Sequence, residues 1–290
     1  MELYQLEYFK SVARNQSFTA AAAAMNVSQP TISIAIQKLE KELGVELLNK
    51  KDKPVTLTPV GQAIFDRAVR ILIEGDNIRE EVADYLDNAP KLIRFGVPLT
   101  LCNDLLSPIK TEFLNGHPEI QIMVAQYGVE ILEPELAAGN LDLCILSDMI
   151  SKPELEYVPF KKTSLYACFS ANHPFSAYDH VTPEMLAGKE LLVSNRKNGV
   201  SRLILNYLAA HIGEYALPHR SSFVPQSMLA LAEEGMGIAI IEKNFAQKHY
   251  NVKCLPLDPP LEIQTVLAWN KNKYIGKAQK TFISYLKKHA

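Results

Sequence analysis

Residues 17–43, SFTAAAAAMNVSQPTISIAIQKLEKEL, leave a folding chain few choices. Ser17 is placed to cap a helix whose body is five alanines, Ala20 to Ala24, side chains small enough to let a second helix approach closely. Asn26 and Val27 break that helix, with Val27 plugging the corner. Ser28 then caps a second helix with Pro30 in its first turn, where a missing N–H costs little. Ile32, Ile36, Leu39 and Leu43 recur at helical spacing and share one apolar face. Pro30, Ile34, Gln37, Lys38 and Lys41 fall on the other face, flanked by Gln29 and Ser33. Two helices joined by a tight turn, the second with a polar and weakly basic outer face, form a helix-turn-helix whose second helix would enter a DNA major groove. Sequence alone also permits an ordinary helical hairpin; the flanking segments favour DNA.

Before the motif, Leu3, Leu6, Phe9, Val12 and Ala13 make a helical stripe that would pack behind the alanine-rich helix. After it, Gly44 stops the second helix. Leu47 and Leu48 point inward, residues 50–54 form a basic turn, and residues 55–57 alternate like a short strand. Helices followed by a basic-tipped hairpin make a winged helix. The expected DNA contacts are therefore Ser28, Gln29, Pro30, Thr31, Ser33, Ile34, Gln37, Lys38 and Lys41 on the helix, and Lys50, Lys51 and Lys53 on the wing.

Charge sets a limit on how DNA is held. The 290 residues carry a net charge of −2, and residues 1–58 hold seven Lys/Arg against six Asp/Glu. Contact must come from a small local surface rather than from the field of the whole protein.

Thr58 and Pro59 open another helix that runs to about Leu86. Along it Ile64, Ala68, Ile71, Gly75, Ile78, Val82 and Tyr85 alternate at spacings of four and three, a heptad seam suited to a twin helix and hence to a homodimer. Residues 87–90 read as a linker. Beyond them strands (92–97, 120–125, 141–146) alternate with helices (104–114, and one beginning near Pro134), which makes a parallel sheet covered by helices. A second run repeats the pattern: strands 165–170 and 191–193, helix 202–212, strand 222–224, helix 226–234 and strand 237–242. Strand 263–269 and helix 277–288 close the chain. Two such halves imply a ligand cleft between them, at the carboxyl ends of the strands.

Apolar residues are 48% and charged residues 21% of the chain, a globular composition. The N-terminus carries acids and lacks the apolar core of a signal peptide, and no run is long enough to span a bilayer, so a cytoplasmic protein with no membrane contact is expected. Cys102, Cys144, Cys168 and Cys254 lack C-x-x-C spacing and read as buried free thiols, not a metal site. The seven histidines fall in no H-E-x-x-H pattern, and neither G-x-S-x-G nor a P-loop occurs. Residues 235–237, Gly-Met-Gly, end a helix rather than cradle a phosphate. No cofactor, metal or catalytic set is expected. The rival reading is a ligand-binding α/β protein or enzyme whose N-terminal helices serve only assembly; salt-dependent retardation of a promoter fragment separates the two.

SFTAAA at 17–22, VSQPTIS at 27–33, Leu39-Glu40, Leu43-Gly44 and LTPVG at 57–61 resemble the LysR-type transcriptional regulators, as do FGVPLT at 95–100, GNLDLCIL at 139–146 and EEGMGIAII at 233–241. The resemblance spans the chain and is most specific in its first 61 residues. It implies an α/β protein with an N-terminal winged helix-turn-helix (1–58), a dimerising linker helix (59–89) and a two-lobed effector domain like the type 2 periplasmic binding proteins (90–290). Lobe I would comprise 90–161 and 266–290, and lobe II 162–265. It further implies a homodimer or homotetramer on double-stranded DNA with an inverted-repeat operator, a small-molecule co-inducer in the cleft, a carboxylate being one candidate, and RNA polymerase as a further partner. Ligand binding would change closure of the lobes and so the angle between DNA-binding pairs.

By the same resemblance, the effector would meet Leu99, Thr100, Val129, Ser147, Asn195, Ser201, Gln226 and Ser227. Thr100 at a helix start would suit a carboxylate, whereas Gly128-Val129 stand where relatives often carry a small polar residue. The DNA-facing helix departs too. Ile34 stands where the family commonly has a groove-facing Arg, Ala35 and Gln37 where polar or basic residues are frequent, and Leu48 and Lys50 where Phe and Arg are usual. Base readout should then lean on a thymine methyl at Ile34 and on adenine at Gln37 or Gln29, a bias toward A·T pairs.

Overall fold

A computed structural model describes residues 1–86, 91–147, 152–193, 199–213, 220–222, 224–249 and 251–289. It divides into two units: residues 1–90 with 272–274, and 91–271 with 275–290.

In the first unit, helices α1 (Leu3–Asn15), α2 (Phe18–Ala24) and α3 (Gln29–Leu43) precede a two-stranded wing, β1 (Leu48–Asn49) against β2 (Thr56–Leu57), and helix α4 (Pro59–Tyr85). The caps follow the sequence. Ser17 Oγ accepts from the Ala20 amide, Ser28 Oγ from the Thr31 amide and Thr58 Oγ1 from the Gly61 amide. Asn26 (φ 53°) and Gly44 (φ 70°) take the left-handed conformations that turn the chain out of α2 and α3. Ala21 and Ala22 are buried, so α3 closes down on α2, and Ile32, Ile36 and Leu39 join Leu6, Phe9, Val12 and Leu47 in one core. Leu43, expected on that apolar face, is instead exposed, because the last turn of α3 runs past the core. Gly61 is required sterically: a Cβ there would overlap the Leu47 carbonyl oxygen. Phe65, Ala68 and Leu72 bring the first half of α4 into this core, with Phe65 edge-on to Phe9.

The second unit begins with β3 (Leu92–Val97), α5 (Leu99–Pro108), a π-helical turn (Ile109–Phe113) and the short α6 (Leu114–Gly116). Then come β4 (Gln121–Gln126), α7 (Val129–Ala137), β5 (Leu143–Ser147) and the 16-residue β6 (Leu155–Ser170). There follow α8 (Pro183–Leu186), β7 (Leu191–Val193), α9 (Gly199–Ile212), β8 (Arg220–Ser222), α10 (Pro225–Glu233), β9 (Ile238–Glu242), α11 (Lys243–His249), β10 (Val252–Pro256), β11 (Glu262–Asn270) and α12 (Lys277–Lys288).

The strand order is β4-β3-β5-β11-β6-β9-β7-β8, with β10 also on β6. Two parallel triplets, β4-β3-β5 and β8-β7-β9, are thus joined through antiparallel β11 and β6. The strand expected at 165–170 is only the end of β6, which pairs with β11 at one end and with β9 and β10 at the other. β6 and β11 therefore both run from one triplet to the other, which makes a two-lobed mixed sheet. Separate cores lie under each part: Phe95, Phe113, Ile145 and Phe282 in one, and Phe169, Leu191, Leu208 and Ile240 in the other.

Several helices start earlier than the sequence suggested, α9 by three residues at Gly199, and α5 and α7 by more. α5 begins at Leu99, directly after Pro98, instead of at residue 104. α7 begins at Val129 rather than near Pro134, with Gly128 at its N-cap; Pro134 lies inside it, at the cost of one helical hydrogen bond. The shifts of α5 and α7 matter, because they put helix starts at the carboxyl ends of β3 and β4. The strand expected at 222–224 lies at 220–222.

Candidate nucleic-acid surface and effector chamber

On α3 the residues expected to meet DNA point away from the core. Ser28, Gln29, Pro30, Thr31, Ile34, Gln37, Lys38 and Lys41 are exposed and Ser33 is half-buried. Ile34 stands 53% open, a large apolar side chain on a largely polar face. Ala35, by contrast, is buried and its carbonyl accepts from Gln5 Nε2, so a larger residue at 35 would push α1 and α3 apart.

The wing lysines divide. Lys51 and Lys53 are exposed at the tip. Lys50 is exposed too, but its ammonium pairs with Glu40, a carboxylate 7% exposed on the buried face of α3. Glu40 also accepts from the Leu47 amide at 2.9 Å and the Leu48 amide at 3.4 Å. Lys50 therefore neutralises a buried acid that holds the wing to the helix, a role that spacing alone did not suggest.

In α4 the heptad positions part ways along the helix. Ala68 is buried and Ile64 half-buried, whereas Ile71, Ile78, Val82 and Tyr85 are exposed, Tyr85 by 88%.

In the second unit a chamber of about 380 Å³ opens where the carboxyl ends of β3, β4, β5 and β9 meet the starts of α5, α7, α9 and α10. Of the expected effector residues, Leu99, Thr100, Val129, Ser147, Ser201 and Gln226 line it. Ser227 is exposed and outside the lining, because it follows Gln226 around α10. Asn195 lies outside the described residues.

Sequence reading missed Glu242, at the end of β9. It lines this chamber and a second one of about 360 Å³ that also shares Thr100 and Thr265. Thr100 Oγ1 donates to Glu242 Oε1 at 3.1 Å, joining the first helix after β3 to the last residue of β9. Burial pushes the Glu242 carboxyl above the ordinary glutamate range; hydrogen bonds from its own backbone N–H and from Thr100 oppose this, and the charge of Asp104 adds to it. The signal was faint: Glu242 ends the run IAIIE, where an acid at the edge of a fully buried strand is easily taken for surface. Glu130, in the first turn of α7, folds back against Gly128 and also lines the chamber.

All four cysteines are buried. Two that are distant in sequence adjoin in space: Cys168 and Cys254 are directly opposed on β6 and β10, their sulfurs 2.7 Å apart. Among the described residues there is no cluster of metal-ligating groups and no helix long and apolar enough to cross a membrane.

The comparisons with known proteins agree with this geometry. Residues 3–62 match the model for the bacterial regulatory helix-turn-helix protein, lysR family, and residues 88–290 match that for the LysR substrate binding domain. The regulator BenM of Acinetobacter baylyi is 29% identical over 268 residues, 90% of this chain and 86% of its own. A full-length OxyR variant from Pseudomonas aeruginosa superposes with a TM-score of 0.71 at 24% identity, covering 99% of this chain and 94% of its own. The effector-binding domain of QuiR in complex with shikimate gives 0.62 at 27% identity, over 68% of this chain and 96% of that one. With a winged helix-turn-helix at one end and an effector-binding fold at the other, the chain belongs to the LysR family of transcriptional regulators.

Proposed function

We propose that this regulator reads an inverted-repeat operator as a homodimer, or as a tetramer built from two dimers, and that a small molecule in the β3–β9 chamber changes how it sits on DNA. The exposed outer face of α3 carries the first half of the reading. Ile34, Gln37, Lys38 and Lys41 all stand clear of the core, and a helix presents just such a row to a major groove. The open seam Ile71, Ile78, Val82 and Tyr85 supports pairing through α4. The domain boundaries that fit are a winged helix at 1–58, a linker helix at 59–89 and an effector domain at 90–290.

The chamber supports the second half. It joins residues from both parallel triplets, so its filling is felt by both, and Thr100–Glu242 is a bond a ligand must keep, replace or break. Only a ligand that binds one arrangement better than the other shifts the balance. In QuiR the equivalent domain is in complex with shikimate, which supports a small metabolite here. The test is footprinting on the region upstream of its own gene. Two protected half-sites about one or two helical turns apart are expected; a single unpaired footprint would overturn the dimeric reading.

A further inference from the structure

The chemistry of the chamber constrains what it binds. Among its described lining residues there is no Lys, Arg or His, and there are two carboxylic acids, Glu130 and Glu242. An acid already stands at each of the helix starts that an anionic ligand would seek at the ends of β3 and β4. At α7 the Glu130 carboxylate lies in the first turn and folds over Gly128. At α5 the Thr100 hydroxyl is spent on Glu242. The remaining walls are largely aliphatic: Leu99, Val129, Ile204, Met228, Ile240 and Ile263.

Glu242 is the group left wanting. It accepts from the Thr100 hydroxyl and from its own backbone N–H, and no ion pair to it forms among the described residues. Lys243, next in the chain, sets its ammonium 5.5 Å over the Tyr166 ring instead. A carboxyl enclosed in this way gains most from a cationic N–H donor, because a charge-assisted hydrogen bond in a low-dielectric site is about twice as strong as a neutral one. A ligand carboxylate in the same place would face a second acid at close range.

Taking the chamber as the effector site, as above, we infer that its ligand is a largely apolar molecule with a cationic amine head, and that the head docks on Glu242 beside Thr100. Tight binding then takes the form of N⁺–H···O⁻ bonds to Glu242 at one end and a hydrocarbon body along the β9 and α10 side chains. No covalent step is involved.

Matched probes of one skeleton test this on the full chain: 2-phenylethylamine and 3-phenylpropionate, titrated at pH 7 and fixed salt by calorimetry and thermal melting. The amine is expected to raise the melting temperature of the wild type by about 3 °C or more near saturation. The carboxylate is expected to leave it unmoved. Glu242→Gln keeps the shape and hydrogen-bonding capacity but removes the charge, and should weaken the amine about tenfold or more. Thr100→Ala frees an oxygen of Glu242 and should leave the amine bound at least as tightly, which keeps the test decisive if the Glu242 variant misfolds. Preference for the carboxylate, equal amine binding by Glu242→Gln, or no response to either probe would overturn the inference. Retardation of operator DNA by the wild type is read in parallel. DNA binding with no amine response rejects only the amine-headed ligand, and absence of DNA binding rejects the regulator reading itself.

Discussion

Glu40 and Lys50 form an ion pair across the junction between α3 and the wing. Because Glu40 also holds the amides of Leu47 and Leu48, a single buried carboxylate fixes where the wing leaves the helix. Replacing Glu40 by Ala strands those amides and releases Lys50, and should cost about 2 kcal/mol in chemical denaturation. Lys50→Ala leaves the acid buried without its counter-charge. It should destabilise the fold while leaving the salt dependence of DNA binding near that of wild type. A flattened salt slope in Lys50→Ala would instead make Lys50 a phosphate contact.

The raised affinity of Glu242 for its proton has a definite sign. Between the unfolded carboxyl value, about 4.3, and the higher folded one, the native state holds more protons than the unfolded chain. Stability from this group is therefore full at low pH and is lost as pH rises through that window. Wild type should lose stability on going from pH 4 toward neutrality relative to Glu242→Gln, with denaturant midpoints measured at matched salt. Parallel profiles for the two proteins would contradict the burial argument.

Ile78 and Val82 are 65% and 53% exposed on the outer half of the α4 seam. Replacing both by Asp should weaken self-association about tenfold or more in sedimentation, with helical content unchanged by circular dichroism. An unaltered association constant would place the dimer contact elsewhere.

Ile34 provides the sharpest test of base readout. If it packs on a thymine methyl, replacing that thymine by uracil in the half-site should cost the wild type about 1 kcal/mol. Ile34→Ala should lose the same amount on natural DNA and nothing further on the uracil site. Equal sensitivity of both proteins to the missing methyl would show that Ile34 is a bystander.

The fold of the first unit was legible in the sequence because its signals are local: caps at Ser17, Ser28 and Thr58, the small-residue run at 20–24, and a 3.6-residue apolar period. The parallel triplets were legible for the same reason, as alternating strands and helices. The long β6 was not, since residues 159–164 carry Pro159, two lysines and two hydroxyl residues and look like a break, while antiparallel pairing with β11 carries the strand through them by way of a bulge between Pro159 and Lys162. The helix starts at Leu99 and Val129 were misplaced because neither has a Ser, Thr, Asp or Asn cap; Pro98 and Gly128 stand there instead. Glu242 and the Cys168–Cys254 contact depend on residues about 140 and 86 positions apart, and no periodicity reports that.

A regulator of this fold must present α3 to the DNA groove. Retardation of a fragment from upstream of its own gene should be measured for the wild type, Lys38→Ala and Lys41→Ala across a series of salt concentrations. Binding that weakens steeply with salt, with each substitution lowering the slope of log K against log salt by about one, is the predicted result. Absence of retardation by the folded wild type, or variants that keep both its affinity and its slope, would contradict it.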